Sequence, residues 1–150
     1  MYDASKLKTV AECRIVLERA RARRLDDVYS AVFRRLCQLV GNENDHPDDP
    51  LVRDFYETLA AYEQLLTEKN GRNTPATRTR QKLANKGVHL SLIEWTRGKI
   101  ETNGFTLLVD AGLPEYTGEY LVARYADRFP PDVVQLAQER LEKHGVQLSH

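Results

Sequence analysis

Between Lys69 and Lys99 the chain places eight basic residues, Lys69, Arg72, Arg78, Arg80, Lys82, Lys86, Arg97 and Lys99, against a single acid, Glu94. Cations spaced in this way suit one task above others: they neutralise the phosphates of a polyanion and release its condensed counterions. Arg78, Lys82 and Lys86 recur every four residues. On a helix they form a row along one face, about two turns long. Arg80 points off that row, and the stretch from Lys69 to Thr74 adds Lys69 and Arg72 just before it. A helix start there would present free backbone amides and the positive end of a dipole. The hydroxyls of Thr74, Thr77 and Thr79 stand beside it, a setting that favours phosphate.

Whether that row is open depends on the acids nearby. Residues 43–63 hold seven of them, Glu43, Asp45, Asp48, Asp49, Asp54, Glu57 and Glu63, with Arg53 as the one base. The whole chain has 22 acids and 22 Lys and Arg residues, so charge is sorted along the sequence rather than mixed. Sorted charge sets what a surface attracts. The basic segment is then either a phosphate-binding surface or a solvated face paired internally with the acidic third helix. The run Arg19, Arg21, Arg23 and Arg24, with Arg34 and Arg35, extends the basic footprint if the fold brings it alongside. Arg34 and Arg35 can equally pair with Asp26, Asp27 or the acidic loop.

The segment from Gln81 to His89 resembles the turn region of a helix-turn-helix, with Gly87, then Val88, then a polar residue, and Ile93 at an inward position. That resemblance implies duplex DNA as the partner, with Gln81, His89 and Ser91 as base contacts. The chain departs from the pattern where a small residue is expected four places before the turn glycine, because Leu83 stands there and Ala84 comes one place late. The stretch from Ala111 to Tyr120 lacks the double glycine of a helix-hairpin-helix, and Glu115 and Glu119 would repel a phosphate.

Other chemistry is thinly represented. Asp110, Glu115 and Glu119 could assemble a carboxylate metal site of the kind nucleases use, although a solvated pair of glutamates is the better account of the spacing. The loop from Asn42 to Asp49 is rich in oxygen ligands but lacks the glycine and the terminal glutamate of a calcium loop. His46, His89, His144 and His150 are scattered without ligand spacing, and no glycine-rich phosphate loop is present. Tyr116, Tyr120 and Tyr125 could stack bases, but tyrosines at helical spacing more often pack half-buried. No cofactor is implied.

The elements that must position these residues read as helices. Apolar residues recur at Leu7, Val10, Cys13, Val16 and Leu17, a helical spacing with Asp3 available as its cap, and the run from Arg21 to Arg24 ends it without a glycine or proline. A second helix spans about Asp26 to Val40, with Gly41 as its stop. Asp49-Pro50 opens a third, closed by Gly71, and Thr74-Pro75 opens a fourth, closed by Gly87. Shorter helices follow over His89 to Arg97, Asn103 to Ala111, Pro114 to Phe129, and Pro131 to Gly145.

About eight short helices with no convincing strand pair make an all-α protein, read as one compact domain of residues 1–150. Cys13 and Cys37 sit among apolar neighbours and read as reduced, buried thiols. The first residues lead into a charged amphipathic stretch rather than an apolar signal core, and no apolar run reaches bilayer length. A cytoplasmic protein without a membrane partner is expected. The favoured function is non-enzymatic binding of nucleic acid, duplex DNA first, through the eight basic residues. A protein-interaction module, joining a second copy or an acidic protein through its segregated charges, is the alternative. A metal-dependent enzyme built on Asp110, Glu115 and Glu119 is the weaker one.

Overall fold

The computed structural model describes residues 2–42, 48–98 and 103–147, and every secondary element among them is helical. Seven α-helices run in order: α1 (Val10–Ala22), α2 (Asp26–Asn42), α3 (Pro50–Asn70), α4 (Thr77–Arg97), α5 (Asn103–Asp110), α6 (Gly118–Arg124) and α7 (Pro131–Lys143). Three 3-10 turns lie at Ala4–Lys6, Pro114–Tyr116 and Ala126–Arg128. The chain divides into two compact units, Met1–Ala60 and Ala61–His150, with the boundary inside α3.

In the first unit α1 packs along α2. Asp3 caps the turn at Ala4–Lys6, not the helix: its Oδ1 accepts from the Ser5 backbone N–H at 3.0 Å. The helix itself starts one turn later, where Thr9 Oγ1 accepts from the Glu12 N–H at 3.1 Å. Glu12 reaches back, its Oε1 accepting from Thr9 Oγ1 and from the Lys8 N–H at 3.0 and 3.3 Å. This is a reciprocal cap of the Thr-x-x-Glu kind. At the other end Arg24 takes the left-handed conformation (φ 56°), and the Leu25 N–H closes back on the Ala20 carbonyl at 2.8 Å. The arginine run therefore stops the helix as expected, with a non-glycine residue in the position glycine usually fills.

Cys13, Leu17 and Ala20 of α1, Val32, Phe33, Leu36 and Cys37 of α2, and Leu51, Phe55 and Leu59 of α3 are buried. Both cysteines are free thiols, and burial pushes each above its ordinary pKa. Gly41 does not stop α2, which runs on to Asn42. It is buried instead, and a Cβ there would lie 2.8 Å from Glu57 Cγ and 3.1 Å from the Arg53 carbonyl oxygen. Its missing side chain is what lets α2 approach α3.

In the second unit α6 packs against α7, and both contact α4. Buried residues include Leu92, Ile93 and Thr96 of α4, Phe105 and Leu108 of α5, Tyr120, Leu121 and Val122 of α6, and Val133, Ala137 and Leu141 of α7. The expected helix over Pro114 to Phe129 is cut into two 3-10 turns and α6. Thr117 causes the first cut by capping α6, its Oγ1 accepting from the Tyr120 N–H at 3.1 Å. Gly71, Gly112 and Gly145 fall just past the ends of α3, α5 and α7, where the helix stops were expected.

Candidate nucleic-acid interface

The basic segment is carried by the end of α3, the connection to α4, and α4 itself. Gly87 divides α4: its φ of 81° and ψ of 172° are not helical, and L-residues essentially do not adopt them. A helix stop at Gly87 and a second helical stretch after it are what the sequence suggests. The two halves differ in surroundings. From Thr77 to Lys86 nothing is fully buried, whereas Ser91, Leu92, Ile93 and Thr96 are core residues.

The second half is fastened by several contacts. His89 stacks on Phe129 with ring centroids 4.8 Å apart, and its Nε2 lies 2.6 Å from the Arg128 carbonyl oxygen. A carbonyl can only accept, so Nε2 carries the proton. Arg97 donates to Asp132 through Nε and Nη2 at 3.1 and 3.2 Å. Arg140 of α7 donates through Nη1 to the Trp95 carbonyl and to Glu119 Oε2, both at 3.2 Å, and through Nη2 to the Gly98 carbonyl. Glu119 is 3% exposed, so this ion pair is interior and closes the C-terminal end of α4.

The first half is held differently. Glu63 of α3 accepts the Ala76 N–H at 2.7 Å through Oε2, and takes Arg80 Nε and Nη2 at 2.7 and 2.6 Å. Thr74 is therefore not the cap the sequence suggests, and α4 begins at Thr77 rather than Pro75. The Thr74 N–H donates instead to Thr67 Oγ1 at 3.0 Å, and its hydroxyl donates to the Arg72 carbonyl at 2.8 Å. The helix start offered to a phosphate already holds a carboxylate. An anion is indeed favoured there, and the protein supplies it from α3.

The eight sequence candidates thus separate into three groups. Arg80, Lys86 and Arg97 are ion-paired, with Glu63, Glu94 and Asp132. Lys69, Arg72, Arg78 and Lys82 are exposed and form no ion pair among the described residues. Lys99 lies outside the described residues. Lys86 Nζ donates to both oxygens of Glu94, at 2.6 and 2.8 Å. Eight residues of unbroken helix would separate the two by about 12 Å along the axis. The bend at Gly87 brings them together. The Lys86 hydrogen bond holds the Glu94 carboxyl below its ordinary pKa, with the charge of Lys82 adding to the effect. Arg97 does the same for Asp132.

Several other candidates are placed away from any surface. Ser91 is fully buried, and Tyr116 and Tyr120 are 8% and 6% exposed. Ser91 cannot contact a base from there, and the two tyrosines pack rather than stack on a ligand. Gln81 is exposed, while His89 is committed to Phe129 and Arg128. The Asp110, Glu115 and Glu119 grouping has Arg140 at Glu119, where a metal ion would have to sit. No cluster of three or more metal-ligating side chains occurs among the described residues. In the first unit Arg19, Arg23 and Arg24 are exposed, and Arg35 donates to the Leu7 carbonyl at 3.0 Å.

The interior ion pair was the feature that sequence reasoning missed, since Glu119 and Arg140 stand 21 positions apart with nothing local to link them. No helix among the described residues is long and apolar enough to cross a membrane. No protein-family model, curated protein or solved structure matches the chain.

Proposed function

We propose that the protein binds nucleic acid through the phosphate backbone, with Lys69, Arg72, Arg78 and Lys82 as the contacts. One observation carries the reading: these four cations are exposed and without an ion-pair partner among the described residues, whereas the other described cations of the same segment are each paired. Arg78 and Lys82 are one turn apart on the solvent-facing half of α4. Arg72 sits on a connection tied to α3 through Thr67 and Glu63, so its backbone is placed before any ligand arrives. Duplex DNA is the first partner to test, and the contacts are of the positioning kind rather than base readout.

Four phosphates neutralised on a duplex give a slope of about −3.6 for log K against log salt. The test is fluorescence-anisotropy binding to a labelled random duplex and to a single strand across a salt series. Arg78→Glu with Lys82→Glu reduces the slope by about 2 and weakens binding at low salt. Absence of binding to either strand form at low salt refutes the proposal, as does a double reversal that leaves the salt slope unchanged.

A further inference from the structure

Ile15 stands in the middle of the outward face of α1, 53% exposed, although the opposite face of the same helix buries Cys13, Leu17 and Ala20. The exposed alanines Ala11 and Ala22 share its face, at the four- and seven-residue spacings that align side chains along a helix. Arg14 and Glu18 lie on one flank of this strip, and Glu12 and Arg19 lie on the other. Arg14 and Glu18 are one turn apart, the spacing of an ordinary intrahelical pair, yet neither forms an ion pair among the described residues, and Arg19 forms none. Glu12 uses Oε1 for the reciprocal cap at Thr9, which leaves Oε2 to a further partner.

Each flank therefore carries one charge of each sign, placed on either side of the midpoint of the helix. That arrangement is complementary to itself. When two such helices cross antiparallel about a two-fold axis near residue 16, each flank meets its own copy. Arg14 of one chain then lies opposite Glu18 of the other, and Glu12 opposite Arg19, with the two Ile15 side chains in contact between them. A two-fold contact must use the same patch twice, and this patch meets that requirement.

We infer that the outward face of α1 is a self-association surface whose partner is a second copy of this chain. It is separate from the phosphate-binding reading, because no residue is shared between the two. Ridges-into-grooves packing at about −50° confines the contact to the central turns, so the ends bearing Arg21, Arg23 and Arg24 diverge rather than repel at close range. A patch of one short helix buries far less than the roughly 1,200–2,000 Å² of a tight standard interface, so the dimer is weak and concentration-dependent.

The test is sedimentation equilibrium of the full chain without nucleic acid, from micromolar to millimolar concentration, with four proteins. Wild type dimerises toward the upper end of the range. Ile15→Lys shifts the midpoint at least tenfold upward, while its thermal melt at low concentration is unchanged because the side chain is exposed in the monomer. Glu18→Arg sets Arg14 against a like charge and weakens the dimer at least as much. Arg14→Glu combined with Glu18→Arg recreates the opposite pairs across the two-fold and restores association. A wild type that stays monomeric throughout overturns the inference, and so does a dimer indifferent to Ile15→Lys or a double swap no tighter than Glu18→Arg alone.

Discussion

Arg140→Leu removes a side chain that joins α7 both to Glu119 of α6 and to the carbonyls of Trp95 and Gly98 at the end of α4. The substitution takes the Arg140 cation from a carboxylate that is 3% exposed, and takes a donor from two carbonyls. Removing one member of a buried pair costs about 3–5 kcal/mol, largely because the remaining charge is stranded in the interior. A protein of this size has a total stability of about 5–15 kcal/mol, so the loss is a large fraction of the whole. Glu119→Gln is gentler: the amide keeps the shape and one acceptor oxygen, and Arg140 keeps both carbonyls. We expect about 1–3 kcal/mol for it, the cost of a charge-assisted hydrogen bond. With the glutamate already neutral, adding Arg140→Leu strands no charge, so the double variant loses less than the two single losses combined. The assay is urea unfolding followed by tryptophan fluorescence, since Trp95 is the only tryptophan and its own carbonyl is one of the partners. Additive losses, or an Arg140→Leu variant within about 1 kcal/mol of wild type, would refute the assignment of this pair as the closure of α4.

Gly87→Ala should destabilise by about 1–3 kcal/mol, because φ 81° with ψ 172° is a conformation alanine rarely adopts. An ordinary mid-helix glycine would instead gain about 1 kcal/mol from the same change, so the sign of the effect on urea unfolding decides the point. If α4 straightens to escape the strain, Lys86 moves away from Glu94, and the Glu94 carboxyl returns upward to its ordinary pKa in an NMR titration. For the cysteines, neither Cys13 nor Cys37 should react with a thiol reagent in the folded chain, and both should react in denaturant. Both are fully buried, and burial raises each thiol's pKa, which suppresses the reactive thiolate. Rapid labelling of the native protein would contradict this.

Much of the helical framework is legible because its signals are local. Asp49 Oδ1 accepts the Leu51 N–H at 3.0 Å at the start of α3, as the Asp-Pro pair suggests, and the breaks at Gly71 and Gly87 fall where those glycines stand. Two local signals compete less visibly. Asp3 and Thr9 both qualify as caps, and the glutamate three residues after Thr9 decides between them by bonding back. Thr74-Pro75 reads as a helix start, but a carboxylate 13 residues earlier reaches the Ala76 N–H and sets the start later. Gly41 illustrates the same limit: in the sequence it is a stop, and only the approach of α3 turns it into a contact point. Charge pairing is the least legible feature, since Arg97 meets Asp132 from 35 positions away.

Those pairings change what the basic segment can offer a partner. The sequence excess overstates the free charge, because Glu63 and Asp132, both outside the segment, neutralise Arg80 and Arg97. A chain with no net charge exerts little steering at long range, and screening at physiological salt removes most of what remains beyond about 8 Å. Capture of a polyanion would therefore depend on contact by Lys69, Arg72, Arg78 and Lys82 rather than on attraction from a distance. Glu63 limits the site further. A phosphate aimed at the start of α4 must displace a carboxylate that already satisfies both the Ala76 amide and the Arg80 guanidinium. The favourable place for an anion is thus filled from within, and the surface left to an external polyanion is the row on α4 with the tied connection before it.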